Sequence, residues 1–229
     1  MTYVVSDIHG CFDQFKALLK KINFSDRDVM YVLGDIVDYG EEPMELLCDL
    51  SMRVNVIPVL GERDYKAYNL LTALDGMLSS GSMPEPDVIS EMAQWSADGG
   101  ATTIAGFKAL DEDMREGVLD YLADMTLYEE VSAGGKKYLL LHAGIADFDE
   151  STPLDDYQPE DFISEAIDPD RKYFDGVTIV AGHTPTYMIE GATKGKIYRT
   201  DSAILVDCGA AFGETLGCVR LEDGKEFYA

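Results

Sequence analysis

Histidine is the scarcest chemically active residue in this chain, with three in 229, beside a single tryptophan. Basic side chains are also few: 18 stand against 43 acidic ones, for a formal net charge of -25. A balance of that sign repels phosphate backbones and anionic lipid surfaces, which counts against a nucleic-acid or membrane partner. No apolar run approaches the ~20 residues that a membrane-crossing helix needs. The chain enters an apolar strand at Tyr3 with no basic leader before it, so a cytoplasmic protein is expected. Four cysteines without CxxC spacing exclude a zinc ribbon or a redox pair and fit reduced, buried thiols. With no Pro/Ser/Gly-rich linker, the expectation is one domain over 1–229.

What is present is one arrangement used six times, an apolar run that breaks into a polar, glycine-containing tag. The run 3–5 ends in Ser6-Asp7-Ile8-His9-Gly10, and 29–33 ends in Gly34-Asp35-Ile36-Val37-Asp38. The runs 54–60, 138–141, 177–180 and 203–206 end in Gly61-Glu62-Arg63-Asp64, His142-Ala143-Gly144, Gly182-His183-Thr184 and Asp207-Cys208-Gly209. Ligands of open α/β sheets bind beyond the carboxyl ends of strands, so six such ends describe one site. Every histidine lies in a tag.

Between the tags, Phe12, Phe15, Leu18, Leu19 and Ile22 recur at helical spacing, and Pro43 opens a second helix over Met44, Leu46, Leu47 and Leu50. The stretch 65–125 reads as helical throughout, with breaks at 81–86 and 99–100. It is too long for a crossover and is expected to be a helical insertion after the third strand that shapes access to the site, its aromatic residues serving as core. Strands are expected at 127–132 and 136–141 around a Gly134-Gly135 turn, at 187–189, 196–199 and 203–206, and in a last hairpin of 217–221 with 226–228. A short helix is expected at 159–167. The fold class is α/β: two mixed sheets flanked by helices.

Asp7, His9, Asp35, His142 and His183 make an oxygen and nitrogen donor set without thiolates, suited to Mn, Fe or Zn rather than to Mg alone. One central carboxylate can bridge two ions ~3.5–4 Å apart, the spacing of a two-metal hydrolytic site. Asp35, on the second strand end, is the expected bridge.

Asp-Ile-His-Gly, Gly-Asp-Ile-Val-Asp, Gly-x-x-Asp, His-Ala-Gly and Gly-His-Thr, in this order, resemble the calcineurin-like metallophosphoesterases, specifically their bacterial serine/threonine-phosphatase-type members. The resemblance implies a metallophosphoesterase β-sandwich with two divalent ions, Mn first and Fe or Zn as alternatives. It places one ion on Asp7, His9 and Asp35, and the other on Asp35, Glu62, His142 and His183. It implies hydrolysis of phosphate monoesters on a phosphorylated protein or a small phosphate ester. Two alternatives are a scaffold that binds phosphorylated ligands without turnover and a dinucleoside polyphosphate hydrolase, the acidic balance counting against the last.

Three departures fall in the motifs. Tyr39 stands where the family carries a phosphate-gripping arginine, Glu62 where it carries an asparagine ligand, and Arg63 where it carries the histidine credited with protonating the leaving oxygen. Glu62 can still ligate, but its charge should weaken Lewis acidity. Arg63 is a poor proton donor with a phosphate-matching fork, and Asp38, which orients the family's histidine, would pair with it. The expectation is therefore a weakened phosphatase with Asp38 and Arg63 in catalytic roles and Arg63 and Arg171 as phosphate contacts.

Overall fold

The computed structural model describes residues 1–81 and 83–229. Two five-stranded sheets face one another. In the first, β1 (Thr2–Val5) lies between β2 (Val29–Val32) and β9 (Gly217–Arg220), with β3 (Val56–Pro58) and β10 (Glu226–Tyr228) at the edges. The second runs β4 (Tyr128–Ala133), β5 (Lys136–Leu141), β6 (Val177–Ala181), β8 (Ala203–Leu205), β7 (Tyr198–Arg199). β1, β2 and β3 are mutually parallel, as are β5, β6 and β8, so six carboxyl ends emerge in two sets of three.

Alternation along the strands divides the core in two. Val4, Leu140, Val180, Ile204 and Val219 fill the space between the sheets. Tyr3, Val5, Leu139, Leu141 and Ile179 face the helices, α1 (Phe12–Ile22) and α2 (Pro43–Ser51) among them. α1 buries Phe15, Leu18 and Ile22, the stripe read from the sequence, and ends at Asn23 in the left-handed conformation that a C-cap favours. Phe15 is fully buried. Phe15→Ala is expected to lower stability by about 3–5 kcal/mol, the range for truncating a core phenylalanine; urea unfolding followed by far-UV circular dichroism measures it.

The insertion consists of α3 (Glu62–Ser80), α4 (Pro86–Trp95), α5 (Ala101–Ala109) and α6 (Glu112–Ala123), with one π-type turn, Ser96–Gly100, between α4 and α5. It leaves and rejoins the sheets at one point, where the Leu60 N–H donates to the Thr126 carbonyl at 2.8 Å beside a Val59–Thr126 bridge. The expected breaks fall at the Gly81 C-cap and at Gly99, whose φ is 96°; position 82 lies outside the described residues.

Four expected elements differ. Residues 187–189 do not form a strand: Pro185 withholds a ladder donor, and Thr186–Met188 closes a 3₁₀ turn through Met188 N–H to the Pro185 carbonyl at 2.8 Å. The strand expected at 196–199 shrinks to Tyr198–Arg199, because Lys196 ends a turn closed by its N–H to the Thr193 carbonyl, with Gly195 at φ 68° in the third position. β3 covers only Val56–Pro58 of the expected 54–60, since a turn binds Val56 N–H to the Arg53 carbonyl at one end and Val59 pairs with Thr126 only through an isolated bridge at the other. The helix expected at 159–167 ends at Ile163.

Candidate metal centre

The strand ends converge through bonds between tags. The Asp7 and His9 N–H groups donate to the Gly34 and Asp35 carbonyls at 3.0 and 2.9 Å, fastening the first tag to the second. The Gly182 N–H donates to the His142 carbonyl at 2.8 Å, and the His183 N–H donates to Asp7 Oδ2 at 3.0 Å, joining the two sheets across the site. Backbone meets backbone closely between the tags: a Cβ on Gly40 would lie 2.1 Å from the His9 carbonyl oxygen, and one on Gly61 would lie 2.2 Å from the Asp35 nitrogen. Such crowding forces unusual dihedrals. Among the described residues eight non-glycine residues have positive φ, and Asp7, His9, Asp35, Asp38, Tyr39 and His183 are six of them. Left-handed backbone in side-chain-bearing residues persists only where surrounding contacts hold it, and it gathers at functional sites.

Two donor groups share Asp35. Asp7, His9 and Asp35 form one, and Asp35, His142 and His183 the other, the donor atoms in each lying within 4.8 Å of one another. Both ring orientations at the buried histidines are set from behind. His9 Nδ1 lies 2.9 Å from the Val37 carbonyl and His142 Nδ1 lies 2.7 Å from the Leu33 carbonyl. A carbonyl only accepts, so each Nδ1 carries the hydrogen and each Nε2 turns a lone pair into the site. His9 Nε2 is 3.7 Å from Asp35 Oδ2, and His142 Nε2 is 3.5 Å from Asp35 Oδ1.

The electrostatics fit divalent cations. Burial and the charges of Asp207 and Asp35 push the Asp7 carboxyl well above the usual carboxylate range, and burial holds the His142 imidazole below its own. Burial is the largest single influence on Asp35 and would raise it, but His142, His9, the Arg63 backbone N–H and His183 together hold its carboxyl low. Burial, with Asp35 nearby, lifts Asp64 to about 8, and burial lifts Asp207 to about 7. Carboxylates concentrated in this way need compensating positive charge to ionise together. Asp7 Oδ1 is buried without a hydrogen-bond partner, an acceptor with a lone pair to offer. The residues present therefore fit a pair of divalent ions around Asp35.

Glu62, grouped with the second ion by the resemblance, starts α3 with an exposed side chain and stands outside both donor groups, although it lines the same cavity. Arg171 is not among the cavity's lining residues; its guanidinium lies 4.8 Å from the Tyr173 ring centroid and donates to the Phe148 carbonyl at 3.4 Å.

Asp38 and Arg63 do meet, with Arg63 Nη1 at 3.7 Å from Asp38 Oδ2. Arg63 also donates to the Asp98 side chain and carbonyl, both at 2.9 Å, and to the Tyr39 hydroxyl. Burial would lower its pKa, yet Tyr39, Asp98 and Asp38 hold the guanidinium above its ordinary value. Asp38 is fully buried, with Trp95 Nε1–H donating at 2.7 Å and the Thr103 hydroxyl at 2.8 Å. The insertion thus reaches the site on both sides of its π-type turn, with Trp95 both a core residue and a donor to Asp38. Trp95→Phe removes that donor and is expected to cost about 1–3 kcal/mol, the penalty for a buried group losing a partner. An unchanged urea midpoint would mean that the bond is replaced.

Sequence reasoning placed Asp207 and Asp64 in strand-end tags without giving either a role at the centre, read Trp95 as core alone, and assigned Thr103 nothing. Asp207 follows β8 as Asp35 follows β2, and the strand-end signal picked out its tag but not its part in the site. Asp64 accepts from the N–H groups of Ile36, Val37 and Gly61, bracing the Asp35 loop against the start of α3. Trp95 and Thr103 had no local signal. The cavity over the centre, about 220 Å³, is lined by His9, Asp35, Arg63, His183 and Asp207 below and by Tyr39, Tyr187, Met188 and Phe212 around its mouth.

Among similar proteins, a symmetrical bis(5'-nucleosyl)-tetraphosphatase of Acidovorax sp. (strain JS42) is 32% identical over 146 residues, 62% of this chain and 43% of the relative. One of Buchnera aphidicola subsp. Acyrthosiphon pisum (strain Tuc7) is 42% identical over 65 residues, 28% of this chain and 24% of the relative. The matched stretches thus span less than half of these relatives' lengths. A crystal structure provisionally named a diadenosine tetraphosphatase shares the fold with a TM-score of 0.65 at 19% identity, over 100% of this chain and 92% of that one. The fold is also shared with a protein serine/threonine phosphatase from Saccharomyces cerevisiae, TM-score 0.53 at 14% identity, over 100% of this chain and 79% of that one. The family model for calcineurin-like phosphoesterases matches residues 2–213, which takes in every strand-end tag described above, and the chain belongs to that family.

Proposed function

We propose that this chain hydrolyses a phosphoanhydride bond of a dinucleoside polyphosphate and releases a nucleoside diphosphate. The observation that carries the reading is Arg63, held by Asp98, Tyr39 and Asp38 in the position where the family resemblance places a proton-donating histidine. A guanidinium does not surrender a proton at neutral pH. The alkoxide of a phosphoserine departs poorly without one, whereas a leaving phosphate whose second ionisation lies near ~6 departs as an anion. A fixed positive charge is what that anion needs, and Arg63 offers it.

Two divalent ions bound to the shared-Asp35 donor set would act as Lewis acids and lower the pKa of an attacking water. The chain's own groups position and neutralise. The Tyr39 hydroxyl accepts from Arg63, which leaves its hydrogen to donate to a phosphate oxygen and returns one donor to the place of the family's arginine. Asp38 orients Arg63 in turn. The relatives named for bis(5'-nucleosyl)-tetraphosphate activity support this reading over the phosphoprotein reading, which has no support among the sequence relatives reported above. The acidic surface counts against it, but the ions would reverse the local sign at the cavity.

The test compares kcat/KM for diadenosine tetraphosphate and a phosphoserine peptide with Mn²⁺ supplied. The dinucleotide is expected to lead by about 10²-fold or more, the scale of a missing general acid. Equal rates would overturn the reading.

A further inference from the structure

The mouth of the cavity carries apolar rings that the metal centre does not use. Met188 is 68% exposed, Phe212 49% and Tyr187 38%, and all three line the cavity that contains His9, Asp35 and His183. Two loops present them, the turn Thr186–Met188 that follows β6 and the turn Ala210–Phe212 that follows β8. Asp207 fastens both: its carbonyl accepts from the Thr186 N–H at 2.8 Å, and its Oδ1 accepts from the Gly209 N–H at 2.8 Å. The Tyr187 ring lies so close to Gly209, itself at φ +85°, that an added Cβ would come within 2.9 Å of it. The Phe212 ring meets Tyr39 at 5.3 Å and His9 at 6.3 Å between centroids. The rings are therefore held by backbone bonds and packing at the edge of a carboxylate-lined cavity.

An exposed aromatic pair beside an ion-binding cavity suits a ligand that has a flat apolar part and an anionic part in one molecule. We propose that Phe212 and Tyr187 form the seat for a nucleobase of the substrate, with Met188 packing along its edge. Base stacking on an aromatic side chain tolerates any base, because every base has a π-face. The seat rests on the dinucleotide reading above, and it makes Phe212 and Tyr187 specificity residues rather than catalytic ones.

The test measures KM on the Mn²⁺-supplied protein for diadenosine tetraphosphate and for inorganic tripolyphosphate, which has no ring. Phe212→Ala is expected to raise KM for the dinucleotide about tenfold, the scale of one stacked base. The tripolyphosphate KM should be unmoved, and Phe212→Trp should restore the dinucleotide value. Equal changes on both substrates, or no change on the dinucleotide, would overturn the seat. So would an effect confined to p-nitrophenyl phosphate, which would place the ring beside the scissile bond. Calorimetric Kd values for adenosine 5'-(β,γ-methylene)triphosphate on the same variants separate the two proposals. If the unmodified protein does not turn over diadenosine tetraphosphate, the dinucleotide reading fails; about tenfold weaker analogue binding by Phe212→Ala then still supports the seat, and equal binding overturns it.

Discussion

Asp35→Asn is expected to strip both halves of the metal centre at once. Asp35 is the one residue common to the two donor groups, so its charge is lost to both. Asparagine keeps an oxygen that can accept the Arg63 N–H, which donates to Asp35 Oδ1 at 2.8 Å, so the loop should stay in place while the charge goes. Removing a group that merely supports a ligand typically weakens metal binding by about 10–100-fold, and removing a shared ligand should exceed the top of that range. Elemental analysis of protein purified without chelator should fall from up to two transition-metal ions per chain toward none, with far-UV circular dichroism unchanged. His142→Ala, by contrast, should reduce only one of the two, because His142 belongs to one group. Undiminished metal in Asp35→Asn would remove the case for a shared, dinuclear centre.

Arg63→His should shift the chain away from dinucleotides without making it a phosphoserine phosphatase. The change removes a fixed cation from the leaving-group side, and kcat/KM for diadenosine tetraphosphate is expected to fall by about 10²-fold, as when one oriented donor is lost from a charged transition state. It also takes from buried Asp38 the cation 3.7 Å away, while Trp95 and Thr103 remain as donors. Phosphoserine turnover should gain little, since a proton donor has little to act on without a phosphate clamp. Only the triple change Tyr39→Arg, Glu62→Asn and Arg63→His should raise it, by about 10²-fold, the contribution of a general acid. The three groups act on one transition state, so the single changes should not sum to the triple. A large phosphoserine gain from Arg63→His alone would show that the other two departures do not matter. A dinucleotide rate left intact by it would show that Arg63 does not hold the leaving group.

The sequence by itself determined the two-sheet architecture, the place of the helical insertion and the five residues of the two donor groups. These follow from short-range signals: period-two burial in strands, helical spacing of apolar residues, and polar tags where strands stop. Asp7, His9, Asp35, His142 and His183 each stand at such a stop, and parallel strands bring their carboxyl ends together whatever the intervening sequence. Tertiary structure decided the rest. That Glu62 lines the cavity yet stands outside both donor groups depends on how α3 leaves β3, and that Arg171 lies on Tyr173 depends on loop packing; neither is encoded at its own position. Trp95 read as core and is core, but only the fold of the insertion brings its N–H, 57 residues along the chain, to Asp38. Phe212 and Tyr187 sit in short turns without periodicity, and both line the cavity on loops that Asp207 binds. Spacing along the chain records which groups share a strand end or a helix face; which loops meet across the two sheets is set by contacts that no local pattern carries.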